Sequence, residues 1–298
     1  MSFINALPGA IAQGMIWGIM AIGVYITYKI LDIADLTVDG SIVTGACVAA
    51  VMVYNGVNIW VAMLCAFIAG MLAGLLTGLF HTFMGIPAIL AGILTQLILW
   101  SVNLKILGKP NLGISAREYA VAVTQLYKWR AIIVVGIICV AIIALLYWFF
   151  GTELGASLRA TGCNLRMSRA QGINTNMCKI LGLMLSNGIV ALSGAVLMQY
   201  QGAADINMGR GAIVIGLAAV IIGEALLGKL SSNFAVRLFS VIVGGVVYYV
   251  VYQFVILLGL DTDLLKMLSA IIVAIFLAIP YWRKHFGRKK ITAKKAAN

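Results

Sequence analysis

Apolar runs of roughly twenty residues recur along almost the whole chain, separated by short polar segments. A bilayer's hydrocarbon core needs about 20 apolar residues per helix. That ruler divides the sequence into nine candidate spans, approximately 10–31, 38–54, 58–80, 86–104, 130–150, 180–200, 211–228, 237–258 and 264–282. Lipid offers no partner to a backbone amide or carbonyl, so each run must satisfy its own hydrogen bonds as a helix. Composition agrees: 63% hydrophobic residues, 10% charged residues and a mean hydropathy of +1.06 lie far from soluble-domain values. The expected fold is an all-α polytopic membrane protein, with residues 1–298 forming a single membrane domain. The leading MSFINALPGAIAQG has neither a positive n-region nor an A-x-A-like cleavage site, so its apolar run reads as a retained span.

The formal net charge is +12. The basic residues flank apolar runs and seven of them fall within 283–295, the pattern of cytoplasmic anchoring, so no nucleic-acid partner is expected. If residues 283–298 are a basic cytoplasmic tail, nine spans place the N-terminus outside, and the cytoplasmic side carries fourteen lysines and arginines against seven outside. Five of those seven sit in the loop 105–130, which is expected to form an external helix. Cys47, Cys65 and Cys139 lie inside apolar runs, and Cys163 and Cys178 have no metal-ligand spacing. All five read as free thiols, with no metal and no cofactor expected.

One insert, 151–179, reads GTELGASLRATGCNLRMSRAQGINTNMCK and interrupts two spans. Its pattern predicts two short helices: 153–160, closed by Gly162, and 165–171, opened by Asn164 as N-cap and stopped by Gly172. Arg166 and Arg169, three apart, share a face, and Leu165 and Met167 offer apolar contact. A solvated loop would account for the charges alone, but not for helices this short placed between spans. The insert reads as a docking element for a soluble partner at the membrane surface.

Shifting the chain by 170 residues lays Ala34-Asp35-Leu36 over Ala204-Asp205-Ile206, Gly18 over Gly188 and Ala21 over Ala191. Spans one to four then correspond to spans six to nine, and the odd fifth span forces the halves into opposite orientation, the inverted repeat of a transporter. Chance similarity between apolar helices is the competing explanation. Both matched acidic positions precede glycine-containing stretches that lead into a span, Val38-Asp39-Gly40-Ser41 and Met208-Gly209-Arg210-Gly211, which suggest broken or re-entrant helices. Irregular backbone at membrane depth survives only against protein or a water-filled cavity. Asp39, Gly40, Ser41, Gly209 and Gly211, with the Pro87 start of the fourth span, are therefore candidates for the wall of a solute path, and ordinary helix capping is the alternative. Polar residues inside spans are sparse: Thr95, Gln96, Ser186, Asn187 and Glu224. Of these, Thr95, Gln96 and Asn187 join the path candidates, and Glu224 must face protein or water. Gly70, Gly74 and Gly78 share one face of the third span and predict a close helix contact.

The run Leu158-Arg159-Ala160-Thr161-Gly162-Cys163-Asn164, followed by Ala170-Gln171-Gly172-Ile173-Asn174 and then Ala191, Gly194 and Ala195, resembles a known family. It is similar to the integral-membrane permeases of ATP-binding-cassette importers of the branched-chain amino acid and ribose type. Residues 35–41 are similar to that family's "DLSVGS" stretch, and Ile86-Pro87-Ala88 to its "PAF" or "PPF" start of a later span. The resemblance implies that 151–179 is a cytoplasmic coupling loop. Glu153, Arg159, Ala160, Gly162, Asn164, Arg166, Arg169, Gly172 and Asn174 would then meet an ATPase. It implies an ATP-binding-cassette ATPase dimer in the cytoplasm, an external solute-binding protein, a second permease chain, most simply a homodimer, and surrounding membrane lipid. It also implies a multi-pass protein of the bacterial inner membrane with a cytoplasmic C-terminus, working by alternating access. The chain carries no G-x-x-x-x-G-K-[ST] motif, so hydrolysis is expected on the partner and not here.

The implied cargo is a small solute, an amino acid with aromatic ones included; a sugar or nucleoside is the alternative within the same resemblance. Two other classes compete. An intramembrane enzyme would need a catalytic constellation, but His81 and His285 stand alone and there is no H-E-x-x-H. A passive channel or structural membrane subunit would use similar glycine-containing apolar helices.

Overall fold

The structure, a computed structural model, describes residues 3–227 and 233–257 together with positions 267, 270, 271, 274, 275 and 278. Apart from those isolated positions, the run 264–282 lies outside the described residues, as does the tail 283–298. The other eight apolar runs are each a helix. In chain order these are α1 (Phe3–Tyr25), extended by a π-helical turn Ile26–Ile30, α2 (Val38–Tyr54), α3 (Ile59–Thr82), α4 (Ala88–Leu107) and α5 (Lys128–Gly151). The insert supplies α6 (Glu153–Cys163) and α7 (Leu165–Ala170), and α8 (Thr175–Gln201), α9 (Ala212–Leu227) and α10 (Phe234–Leu257) follow. Among the described residues six helices are long and apolar enough to cross a membrane, while α2 and α9 are shorter.

α8 forms the core of the bundle, packed by α1, α2 and α3. Asn187, Val190, Ala191 and Ala195 on it are fully buried. The glycine stripe of α3 is what allows the approach: a Cβ at Gly70 would lie 2.3 Å from the carbonyl oxygen of Asn187, and one at Gly74 2.2 Å from that of Leu183. Small residues let two helix backbones close up, which in lipid is a main source of helix association. α1 packs in turn against α10 and α9. The outward flanks of α3, α4 and α5 carry exposed Leu64, Leu72, Leu97, Ile137 and Leu145, as a surface bathed in lipid or protein requires.

The loop expected to form an external helix does not. It carries β1 (Asn111–Gly113), paired antiparallel with β2 (Ala203–Asp205), and a 3₁₀ turn at Gln125–Tyr127. Gly108 ends α4 in the left-handed conformation, and Pro110 and Gly113 disfavour a helix immediately after it. The backbone finds partners across the chain instead: Ile114 N–H donates to the Gly202 carbonyl at 2.8 Å, and Ala122 N–H to Gln199 Oε1 at 3.1 Å. This loop, together with the α2–α3 turn, lies at the end of the bundle opposite the insert.

Candidate functional site

The two shorter apolar helices, α2 and α9, begin inside the bundle and bring their N-termini together. Beyond the π-helical turn the chain leaves helical structure over 31–37, and Asp35 reaches Asn187, twelve residues and so about 18 Å along α8. α2 therefore starts at depth. After β2 the turn 206–211 returns the chain to the same level, where a Cβ at Gly209 would lie 2.2 Å from the Asp39 carbonyl oxygen. Asp39, in the first turn of α2, accepts from Gly211 N–H on Oδ2 and from Ile213 N–H on Oδ1, both at 2.9 Å. Its carboxylate caps α9, where the positive end of the helix dipole favours it. Gly211, at φ 83°, supplies the left-handed step that this capping turn requires.

Beneath this junction runs a chain of buried side-chain hydrogen bonds. Asn187 Nδ2 donates to Asp35 Oδ2 at 2.7 Å, and Asn187 Oδ1 accepts from Ser41 Oγ at 2.6 Å. Thr37 N–H donates to Asp35 Oδ1 at 2.9 Å, and the hydroxyls of Thr37, Thr77 and Thr95 follow one another at 2.7 and 3.0 Å. Buried polar groups need such partners. Ser41, Thr95 and Asn187 are thus held in the core between α2, α3, α4 and α8 and do not line the cavity described next.

That cavity, ≈ 270 Å³, opens between α2, α4 and the turn before α9. Its lining includes Asp39, Gly40, Gln96, Trp100, Asn103 and Arg210. Asn103 is buried, donates through Nδ2 to the Gly40 carbonyl at 3.4 Å, and leaves Oδ1 without a partner among the described residues. Arg210 is exposed. Asp39, Gly40 and Gln96 line the cavity, whereas Gly209 and Gly211 flank Arg210 in the turn behind it and are not part of the lining. Nor is Pro87: it precedes α4 at the insert end, nine residues before Gln96. Sequence reasoning passed over Arg210, Asn103 and Trp100. Arg210 stands between two glycines of a stretch already singled out, and that position was the available signal.

The insert folds as two helices, with one correction. α6 runs on through Gly162 to Cys163 instead of closing there. A Cβ at Gly162 would sit 1.7 Å from the Ile30 carbonyl oxygen, so this glycine serves close packing onto the end of the π-helical turn and not a stop. Thr152 caps α6 and Asn164 caps α7, accepting from Arg166 N–H and Met167 N–H at 3.1 Å each. Gly172 is left-handed at φ 80°, and Asn174 caps α8. Two of the arginines, though exposed, are held by contacts within the chain. Arg159 donates to the Phe150 carbonyl and lies over the rings of Phe150 and Phe234, and Arg169 Nε donates to Thr175 Oγ1 at 2.9 Å. Ala160 is half-buried. Facing outward are Glu153, Leu154, Leu165, Arg166 and Met167, a mixed apolar and charged surface.

Two further contacts tie helices at this end. Lys29 pairs with Glu224 at 2.9 Å, joining the π-helical turn to α9. His81 Nδ1 lies 2.9 Å from the Ile86 carbonyl, which can only accept, so Nε2 accepts from Lys179 at 3.2 Å and joins α3 to α8.

A match to the family described as "Branched-chain amino acid transport system / permease component" covers residues 7–279. The chain belongs to that family. As a branched-chain-type permease it is a subunit of an ATP-binding-cassette importer, from a family of transporter permease components. It is 39% identical over 276 residues to the tyrosine transport system permease protein of Clostridioides difficile, spanning 92% of this chain and 91% of that one. It is 27% identical over 235 residues to the autoinducer 2 import system permease protein of Salmonella paratyphi B, covering 76% of this chain and 65% of that one. Among solved structures, a transporter assigned to the metal-chelate ABC type, in an inward-facing conformation, superposes with a TM-score of 0.53 at 14% identity, covering 93% of this chain and 85% of the other. That likeness concerns the fold.

Proposed function

We propose that this permease carries an amino acid along a path bounded by α2, α4 and α9, driven by a separate ATPase pair that presses on α6 and α7. The observation that carries the reading is Arg210. Its exposed side chain stands beside the α9 N-terminus, at the depth where both shorter helices begin. An arginine facing lipid there is costly, so this flank meets water or protein in the assembled transporter. A second copy packed across the exposed face of α4 would enclose the ≈ 270 Å³ cavity between two permeases. The guanidinium of Arg210 suits a carboxylate, Asn103 Oδ1 an ammonium, and Trp100 an aromatic or aliphatic side chain. The α9 dipole is already capped by Asp39 and is not free for the solute. The name of the Clostridioides difficile relative supports an aromatic amino acid.

The same proposal includes nine spans arranged as an inverted repeat. Helix pairing supports it: α3 against α8 mirrors α10 against α1, α2 against α3 mirrors α9 against α10, and α2 against α8 mirrors α9 against α1. The matched glycines each meet the matched helix, Gly18 at Ile242 of α10 and Gly188 at Phe67 and Met71 of α3. The insert then lies in the cytoplasm of a bacterial cell, with the basic tail on the same side. Its outward-facing Leu165, Arg166 and Met167 meet the ATPase, and an external binding protein delivers solute at the opposite end. Hydrolysis belongs to the partner.

The test is uptake into vesicles containing the permease, its ATPase and its binding protein, using labelled tyrosine, leucine and ribose. ATP-dependent uptake of an amino acid is expected. Uptake of ribose alone would favour the second reading, a sugar or nucleoside path, which the amides of Gln96 and Asn103 also suit. Flux without ATP or partners would indicate a passive channel.

A further inference from the structure

At the end of the bundle opposite the insert, a cavity of ≈ 500 Å³ opens between the α2–α3 turn, the loop before α5 and the first turns of α5. Glu118 and Arg130 both line it, yet neither side chain has a polar partner among the described residues. Two opposite charges on one cavity, left apart, are a recognition pattern for a ligand that itself carries both signs. Trp60 lines this cavity and also a second one of ≈ 340 Å³ directly below, walled by apolar residues of α3, α5 and α8 that include Phe67, Leu145 and Leu192. The two spaces share a wall and run along the helices. On α5 they extend from Val134 to Leu146, twelve residues or about 18 Å. That is close to the half-thickness of a hydrocarbon core, about 15 Å. Exposed Trp60, Tyr127 and Trp129 mark the level as a membrane interface, where amphipathic rings collect.

We propose that these paired cavities are a binding site for a zwitterionic phospholipid with a primary ammonium, the chemistry of phosphatidylethanolamine. The phosphate lies on Arg130, whose planar fork suits it, and the ammonium donates to Glu118. One acyl chain descends past Trp60 into the apolar groove. A free amino acid would satisfy the same two charges but leave the groove empty, and phosphatidylglycerol would offer Glu118 neutral hydroxyls in place of an opposite charge. The site is separate from the α2–α4–α9 cavity and does not depend on what that cavity carries.

Native mass spectrometry of the full chain, given equal amounts of phosphatidylethanolamine, phosphatidylcholine and phosphatidylglycerol of the same acyl chains, tests this. Preferential retention of phosphatidylethanolamine is expected, because the quaternary ammonium of phosphatidylcholine has no N–H to donate. Arg130→Gln should lower that retention about tenfold, the effect of losing one charge-assisted contact. Glu118→Gln should abolish the preference over phosphatidylglycerol. Leu145→Trp, which fills the exposed groove without touching either charge, should lower retention of all three lipids. Equal retention of the three lipids by the parent chain, or unchanged retention in Arg130→Gln and Leu145→Trp, would overturn the proposal. So would displacement of the bound lipid by millimolar tyrosine, which would make the upper cavity a solute vestibule.

Discussion

Asp39 and Gly211, 172 residues apart in the chain, are joined by a 2.9 Å hydrogen bond from the Gly211 amide to the Asp39 carboxylate. With its companion bond from Ile213, this contact locks the start of α2 to the start of α9. Asp39→Asn keeps the shape but removes the charge and turns an NH₂ group toward one of the two amides. The variant should lose roughly 1–3 kcal/mol of stability, read as a lowered thermal midpoint in detergent, and should transport more slowly. An unchanged midpoint would mean that the cap contributes little.

Arg210 is the cation of the candidate path. Arg210→Gln should raise the half-saturation concentration for an amino acid about tenfold, as expected for the loss of a charge-assisted contact. The thermal midpoint should stay near the parent's, since the side chain is exposed. Uptake assays over a range of substrate concentrations separate this from a simple loss of folded protein.

The arginines of the insert should behave differently from one another. Arg159 is held against Phe150 and Phe234, so Arg159→Ala should lower thermal stability through lost packing as well as lost charge. Arg166 and Met167 face outward, so Arg166→Glu and Met167→Asp should leave the midpoint unchanged while weakening ATPase association and uncoupling hydrolysis from uptake. Co-purification and transport-coupled ATPase assays distinguish the two classes.

Asn187 supports the buried Asp35 carboxyl from the middle of α8. Asn187→Leu removes a donor to Asp35 and the acceptor for Ser41, leaving two buried groups short of partners. A cost of about 1–3 kcal/mol is expected, visible as a lower midpoint and reduced yield in the membrane. Ser41→Ala in the same background should recover part of it by removing the hydroxyl that has lost its acceptor.

Much of this was legible in the residues. Run length located eight apolar helices, six of them long enough to cross a membrane, because a bilayer imposes a minimum apolar length on a helix that crosses it. The Gly70–Gly74–Gly78 spacing announced a close contact, and the Asn164 and Gly172 punctuation of the insert reflects local capping chemistry that needs no tertiary partner. Gly162 misled because a glycine near a helix end satisfies two different demands, a turn or a close approach, and only the position of Ile30 distinguishes them. The loop 105–130 misled because its hydrogen bonds are made with 202–206 and with Gln199, far away in sequence.

The division has one physical reason. Hydrophobicity, periodicity and capping act over a few neighbouring residues, so the apolar runs, their flanking cations and the helical character of the insert follow from the sequence alone. Whether a polar side chain in such a run faces a cavity or the core depends on which helix lies opposite. Ser41, Thr95 and Asn187 were drawn into the core by partners on other helices, whereas Asn103 and Arg210 were left at a cavity. Contacts between segments more than a hundred residues apart, such as Asp39 with Gly211, are made only when the whole bundle closes.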